Sequence, residues 1–271
     1  MEAFLLDPTT TVLAQLQAFL LVFFRISGIF ERTPIIGGAT IPRQVKVWLC
    51  FFVAAVLFPV VVRNNPVPLM PQSIGVFLFA VVAEYSLGLL IGMVGSILLV
   101  GMQLGGRKID DQMGFSLANI VDPVSQLSVS ITSQLMLFVA TVIFVAMGGL
   151  NHVVIPILAG SFNIVPLIGF HLSDPLMAHM LYEVMPQVFI LAIVIAAPTI
   201  IVVFLATIAL GLMGKVVPEM NIFSFSFGVR VFGGLIMLWI TMNYIAIPMQ
   251  AVVEATRYHM LKMLNMAAWA G

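Results

Sequence analysis

The chain has 271 residues, 62% of them apolar and 8% charged, with 11 Lys+Arg against 11 Asp+Glu. A soluble domain carries about 25% charged residues, so this chain cannot wet a water-facing surface, and a soluble enzyme, a secreted disulfide scaffold and a disordered tail are excluded. Zero net charge with no basic run leaves no footprint for nucleic acid, and the single cysteine, Cys50, cannot close an intramolecular disulfide and reads as a small buried hydrophobe.

A membrane-crossing helix needs about 20 mostly apolar residues. In chain order the sequence offers Pro8 to Phe30, with Arg25 near its end, and Val45 to Val62, which is short. Ile74 to Met102 follows with Glu84 in its interior, then Leu127 to Met147, Pro186 to Met213 and Val231 to Val253. Between Pro123 and Ser173 no charged residue occurs, and Asn151 to Phe170 is apolar but cut by Pro156 and Pro166. That stretch holds either one span and a re-entrant element or a hairpin of two. The expected fold is therefore all-α, a polytopic membrane protein of six to seven kinked hydrophobic helices. The first run is not expected to be a cleaved signal peptide, because it has no basic leader, begins at Asp7 and lacks a small-residue cleavage pattern.

The basic residues do not fix one orientation. Arg32, Arg43, Lys46, Arg107 and Lys108 favour an outside amino terminus, yet Lys215, Arg230, Arg257 and Lys262 cannot then all lie inside with six spans. Either a seventh segment crosses, or the chain is buried in a larger assembly where the rule fails. Gly88 and Gly92, and again Gly101 and Gly105, have the spacing that lets helix backbones approach closely in an apolar medium. Pro198 and Pro248 are expected to kink their helices, and the freed carbonyls then need protein or water partners.

Charge at bilayer depth costs a few kcal/mol or more. Arg25 is placed to snorkel to the interface. Glu84 is more central, and either pairs with a cation, stays protonated or lines a polar conduit. The most polar segment is Gly105 to Gln126, where Asp110, Gln112, Asn119 and Asp122 alternate with Ile109, Met113, Phe115, Leu117 and Ile120. A solvent loop would not carry so many bulky apolar side chains; a loop folded into an apolar vestibule would. Gly105 and Gly106 are expected to end the preceding helix and, with Gly114, to let the loop swing. No HExxH, GxSxG or Walker pattern occurs, and His152, His171, His179 and His259 show no ligand spacing, so neither catalytic residues, nor a metal site, nor a cofactor is expected. The segment Lys215 to Phe223 reads as a hairpin tip in which Lys215, Pro218, Glu219, Asn221 and Phe223 serve an interface.

Three stretches in order carry a resemblance: RISGIFERTPIIGGATIPRQVKVWL from Arg25 to Leu49, IDDQMGFSLANIVDP from Ile109 to Pro123, and GLMGKVVPEMNIFSFSFGVRVFGGL from Gly211 to Leu235. Together they resemble the FliR family of flagellar export-gate proteins over nearly the whole chain. The family often has paired histidines where this chain reads Asn151 before His152. Injectisome export-gate subunits share the architecture, and an independent secondary transporter is the rival from another class; the transporter's internal repeats are not seen.

The resemblance implies a non-catalytic subunit of a helical export gate in the bacterial inner membrane, at the flagellar basal body, assembled with FliP and FliQ, wrapped by FlhB and close to FlhA. It implies a FliP-like part over 1–185 and a FliQ-like hairpin over 186–271. It implies further that Ile109, Asp110, Gln112, Met113, Gly114, Phe115, Leu117, Asn119, Ile120 and Asp122 belong to a plug that seals the channel through which unfolded flagellar subunits pass. Arg25, Glu84, Gly88 and Gly92 are expected at subunit interfaces or intramembrane polar contacts.

Overall fold

The computed structural model describes residues 8–33, 41–64, 73–115, 130–149, 155–216 and 222–268. Among these the regular elements are helical: α1 (Pro8–Arg32), α2 (Arg43–Asn64), α3 (Ile74–Gly95), α4 (Ile97–Met113), α5 (Ile131–Ala146), α6 (Ile155–Ile164), α7 (Asp174–His179), α8 (Met185–Val216), α9 (Ile222–Met242) and α10 (Ala246–Ala267). A π turn, Met180–Val184, joins α7 to α8. Among the described residues, five helical stretches are long and apolar enough to cross a membrane: Val12–Arg32, Arg43–Arg63, Ile74–Gly95, Asp174–Val216 and Phe225–Met242; Ile131–Ala146 is apolar but shorter. The protein is an all-α polytopic membrane protein.

Several expected runs are divided. The third breaks at Ser96, whose amide donates to the Gly92 and Met93 carbonyls and whose hydroxyl donates to the Met93 carbonyl at 2.8 Å. A serine that satisfies the preceding turn in this way ends one helix before the next begins. The sixth breaks at 243–245, where the Asn243 and Tyr244 amides donate to Ile240 and Thr241 carbonyls three residues back. Pro248 consequently lies in the first turn of α10, where an amide has no intrahelical acceptor to lose, and it is not the kink expected of it. Pro198 does sit inside α8, and Pro59, not singled out in the sequence, sits inside α2. In the charge-free stretch, α6 is 10 residues long, about 15 Å at 1.5 Å per residue, and cannot span a bilayer core of about 30 Å.

The chain forms two compact units. The first comprises Met1–Ser96, Gly148–Val184 and Ala255–Gly271; the second comprises Ile97–Met147 and Met185–Glu254. In the first, α1 packs along α3 and against α2, and α2 meets α6. The approach of α1 to α3 is close because of glycine: a Cβ on Gly88 would lie 2.2 Å from the Arg25 carbonyl oxygen, and one on Gly28 would lie 2.4 Å from that of Tyr85. Gly92 fits the same seam, against Ile29 and Arg32. Gly88 and Gly92 thus mark a tight helix contact within this chain. The far end of α10 is stitched to the segment before α7 by an antiparallel bridge, Phe170 to Ala268, with the His171 amide donating to the Ala267 carbonyl at 3.1 Å.

In the second unit α4 lies against α8 and α5, while α9 packs on α8 and α4. Gly101 and Gly105 admit Leu191 and Ala192 of α8, and a Cβ on Gly106 would lie 2.7 Å from the Thr132 carbonyl oxygen of α5. This explains why α4 runs on through Gly105 and Gly106, contrary to the expectation that they end it. Each helical glycine costs about 1 kcal/mol against alanine, but Gly106 permits a backbone contact that a Cβ would block, and Gly105 a close one against Ala192.

Candidate functional site

The polar segment of the sequence begins inside α4. Ile109 and Met113 point into the second unit and are buried, Asp110 is buried, and Asp111 and Gln112 are exposed. Helix α4 ends at Gly114, whose φ of 88° lies in the left-handed region that favours glycine. The Gly114 and Phe115 amides both donate to the Asp110 carbonyl at 3.1 Å, closing the helix end. Residues 116–129 follow, so Leu117, Asn119, Ile120 and Asp122 lie outside the described residues, as do Pro218, Glu219 and Asn221.

The two ends of that segment are tied through one carboxylate. Asp110 Oδ2 accepts from the Ser130 hydroxyl and from the Thr132 amide at 3.1 Å. Ser130 is the N-cap of α5 and itself accepts from the Ser133 amide at 3.1 Å. The acid of α4 therefore sits at the amino end of α5, where unpaired amides and the helix dipole favour negative charge. The Ser133 hydroxyl donates to the Gln103 carbonyl at 2.9 Å, adding a second tie between the same two helices. The other Asp110 oxygen, Oδ1, is buried and has no partner among the described residues.

Apolar contacts hold the same corner. Met113 lies against Gly234 of α9, at a point where a Cβ would come within 2.6 Å of its side chain. The Phe115 ring meets Phe227 of α9 edge-on, centroids 6.4 Å apart. Among the residues expected to form a seal, then, Ile109 and Met113 are packing residues of the second unit, and Phe115 is half-buried beside α9. Gln112 is exposed and does not share the Asp110 network. Lys215 is exposed in the last turn of α8, where a cation complements the helix dipole, and Phe223 lies in the first turn of α9.

In the first unit Arg25 does not snorkel. It is fully buried, with Nε donating to Glu84 Oε2 at 2.5 Å. Its Nη1 donates to the Ser161 and Val165 carbonyls at 3.1 and 2.7 Å, and Nη2 to that of Pro166 at 3.4 Å. The guanidinium also lies 4.5 Å from the centre of the Phe162 ring. Glu84 uses its other oxygen to accept from the Ile168 amide at 2.9 Å. Ile168 has φ 66°, unusual for a β-branched residue. The pair thus rivets α1 to α3 and pins the chain that leaves α6. Of the three alternatives left open for Glu84, the contacts show an ion pair, and the cation is Arg25.

A third polar group went unnoticed in the sequence. His179, Glu183, His259 and Lys262 meet in the first unit, although His179 and His259 are 80 positions apart. Lys262 donates to both Glu183 oxygens at 2.8 and 2.6 Å. Burial, and then the charge of neighbouring His179, push the His259 imidazole below its ordinary value. Only the i,i+4 spacing of His179 and Glu183 was legible in the sequence; the partner helix was not.

Residues 16–256 match the family described as "Bacterial export proteins, family 1". The chain is 26% identical to the flagellar biosynthetic protein FliR of Bacillus subtilis strain 168, covering 88% of this chain and 91% of that protein. It is 25% identical to FliR of Escherichia coli K12, covering 86% and 87%. It is also 26% identical to the surface presentation of antigens protein SpaR of Shigella flexneri, covering 77% and 78%.

Proposed function

Because the chain belongs to the bacterial export proteins, family 1, we propose that it is a non-catalytic subunit of the flagellar type III export gate in the bacterial inner membrane. It assembles there with FliP and FliQ, with FlhB and FlhA alongside, and unfolded flagellar subunits are the cargo. The flagellar names of the Bacillus and Escherichia relatives support this, as do five apolar helices of membrane-crossing length. The part up to residue 185 is FliP-like, and 186–271 is a FliQ-like helical hairpin.

The segment after α4 acts as the plug. A gate that passes chains of any sequence without leaking ions needs an apolar constriction that excludes water and yields under load. The observation that carries this role is the Asp110 tie: one buried carboxylate holds both feet of the segment, from Phe115 to Ser130, on the same unit. A plug must be anchored at its base while its tip moves, and this arrangement supplies the anchor. Ile109 and Met113 belong to that anchor, and the seal falls to Phe115 and the apolar residues after it.

Deleting residues 116–121, with Asp110, Ser130 and Thr132 left in place, tests the role. The assembled complex is expected to form and to leak ions in a conductance assay. A deletion complex as tight as the wild type would refute the plug. The likeness to SpaR favours a second reading, a gate for another type III secretion system, but it covers 77% of the chain against 88% for the Bacillus flagellar relative. Loss of flagellar subunit export on removal of the gene decides for the flagellar gate; unimpaired flagellar export decides for the other.

A further inference from the structure

We propose that His179, Glu183 and His259 form a binding site for a divalent transition-metal ion of the zinc class. The inference is independent of the export role and rests on four observations within the first unit.

The first is donor chemistry. One ligand atom from each of the three residues lies within 4.8 Å of the others. Two imidazoles and a carboxylate suit zinc and its neighbours better than calcium or magnesium, which prefer all-oxygen sites. The second is burial without partners. His179 is 1% exposed and His259 7% exposed. Nε2 of His179 and Nδ1 of His259 have no hydrogen-bond partner among the described residues. Nδ1 of His179 lies 3.0 Å from Glu183 Oε2, so these two candidate ligands already meet. Buried polar atoms are nearly always paired, and one unpartnered nitrogen on each of two imidazole rings in one cluster calls for a common acceptor of their lone pairs.

The third observation is the backbone. His179 immediately precedes the π turn Met180–Val184 and Glu183 lies within it, a distortion that recurs at functional sites because it re-aims side chains on one helix face. The fourth is the surrounding shell. Lys262 contacts both carboxylate oxygens of Glu183. When Oε2 turns to the ion, Lys262 retains Oε1 and orients the ligand, as an outer-shell partner does. Donor atoms around zinc stand about 3.3 Å apart, from bond lengths of about 2.0–2.2 Å. With three protein ligands, a fourth position stays open to water or an outside donor. The ion would clamp α7 and the π turn to α10.

The probe is Co2+ or Zn2+ with the purified full chain, in its complex where the chain alone is not stable. Wild-type protein is expected to retain one Zn2+ per chain after dialysis and to give the visible absorption of low-coordinate Co2+. His179→Gln and His259→Gln are each expected to abolish stoichiometric Zn2+ retention after dialysis, whereas His171→Gln, at an exposed histidine, leaves it unchanged. Glu183→Gln, which keeps a hydrogen-bonding group for Lys262, guards against misfolding of the histidine variants and is expected to lose Zn2+ retention in the same way. Absence of stoichiometric uptake by the wild type overturns the proposal, and so does uptake that survives the double histidine substitution.

Discussion

Arg25 and Glu84 show how a buried charge pair can be tolerated: the guanidinium has three carbonyl acceptors besides its carboxylate, and the carboxylate has an amide donor. Removing one partner leaves the other charged and uncompensated, which costs about 3–5 kcal/mol. Arg25→Met is therefore expected to lower the thermal stability of the solubilised protein sharply. Arg25→Met with Glu84→Leu is expected to recover part of the loss in the same melt, although the freed carbonyls of Ser161 and Val165 keep recovery incomplete. Asp110 is a milder case. Asp110→Asn keeps one acceptor but loses the charge beside the α5 amino end, for an expected loss of about 1–2 kcal/mol. The sensitive readout is limited proteolysis, with faster cleavage within 116–129 than in the wild type; equal cleavage rates would mean that Asp110 does not anchor the segment.

At the level of helices, glycine decides which faces meet. Gly88→Leu places a side chain against the Arg25 carbonyl, where backbone rather than a mobile side chain stands in the way. Over-packing of this kind costs about 1–3 kcal/mol or more, so the variant is expected to melt well below the wild type. Gly211→Leu, at a glycine with open space around it, serves as the control and is expected to melt like the wild type. The long helices were legible because an apolar run of 20 residues has few other solutions. The breaks within them were harder. Ser96 looks like any small residue of a membrane helix until its hydroxyl is seen bonded to Met93. Gly105 and Gly106 read as a helix end because propensity speaks locally, whereas their role depends on α5 and α8, far away in sequence. The Asp110 anchor had a visible acid but an invisible partner, and the pairing of His179 with His259 had no sequence signal at all.

For the molecule as a whole, the outer faces are as telling as the core. Val56, Phe232 and Trp239 are each at least 70% exposed, on α2 and α9, and Ile193 and Phe204 on α8 are also open. Apolar surface on this scale is stable only against lipid or apolar protein. The chain expressed with its neighbouring gate subunits is expected to co-purify with them at a defined complex mass. Full stability and transport activity of the chain alone in detergent would instead mark an independent transporter. The bridge from Phe170 to Ala268 carries a consequence for biosynthesis. The first unit draws on residues near both extremes of the sequence, and its last contributor is the end of α10. The second unit has all its residues by Glu254. A nascent chain leaving the ribosome can therefore finish the later-starting unit first, while the earlier-starting one waits for the final helix to arrive.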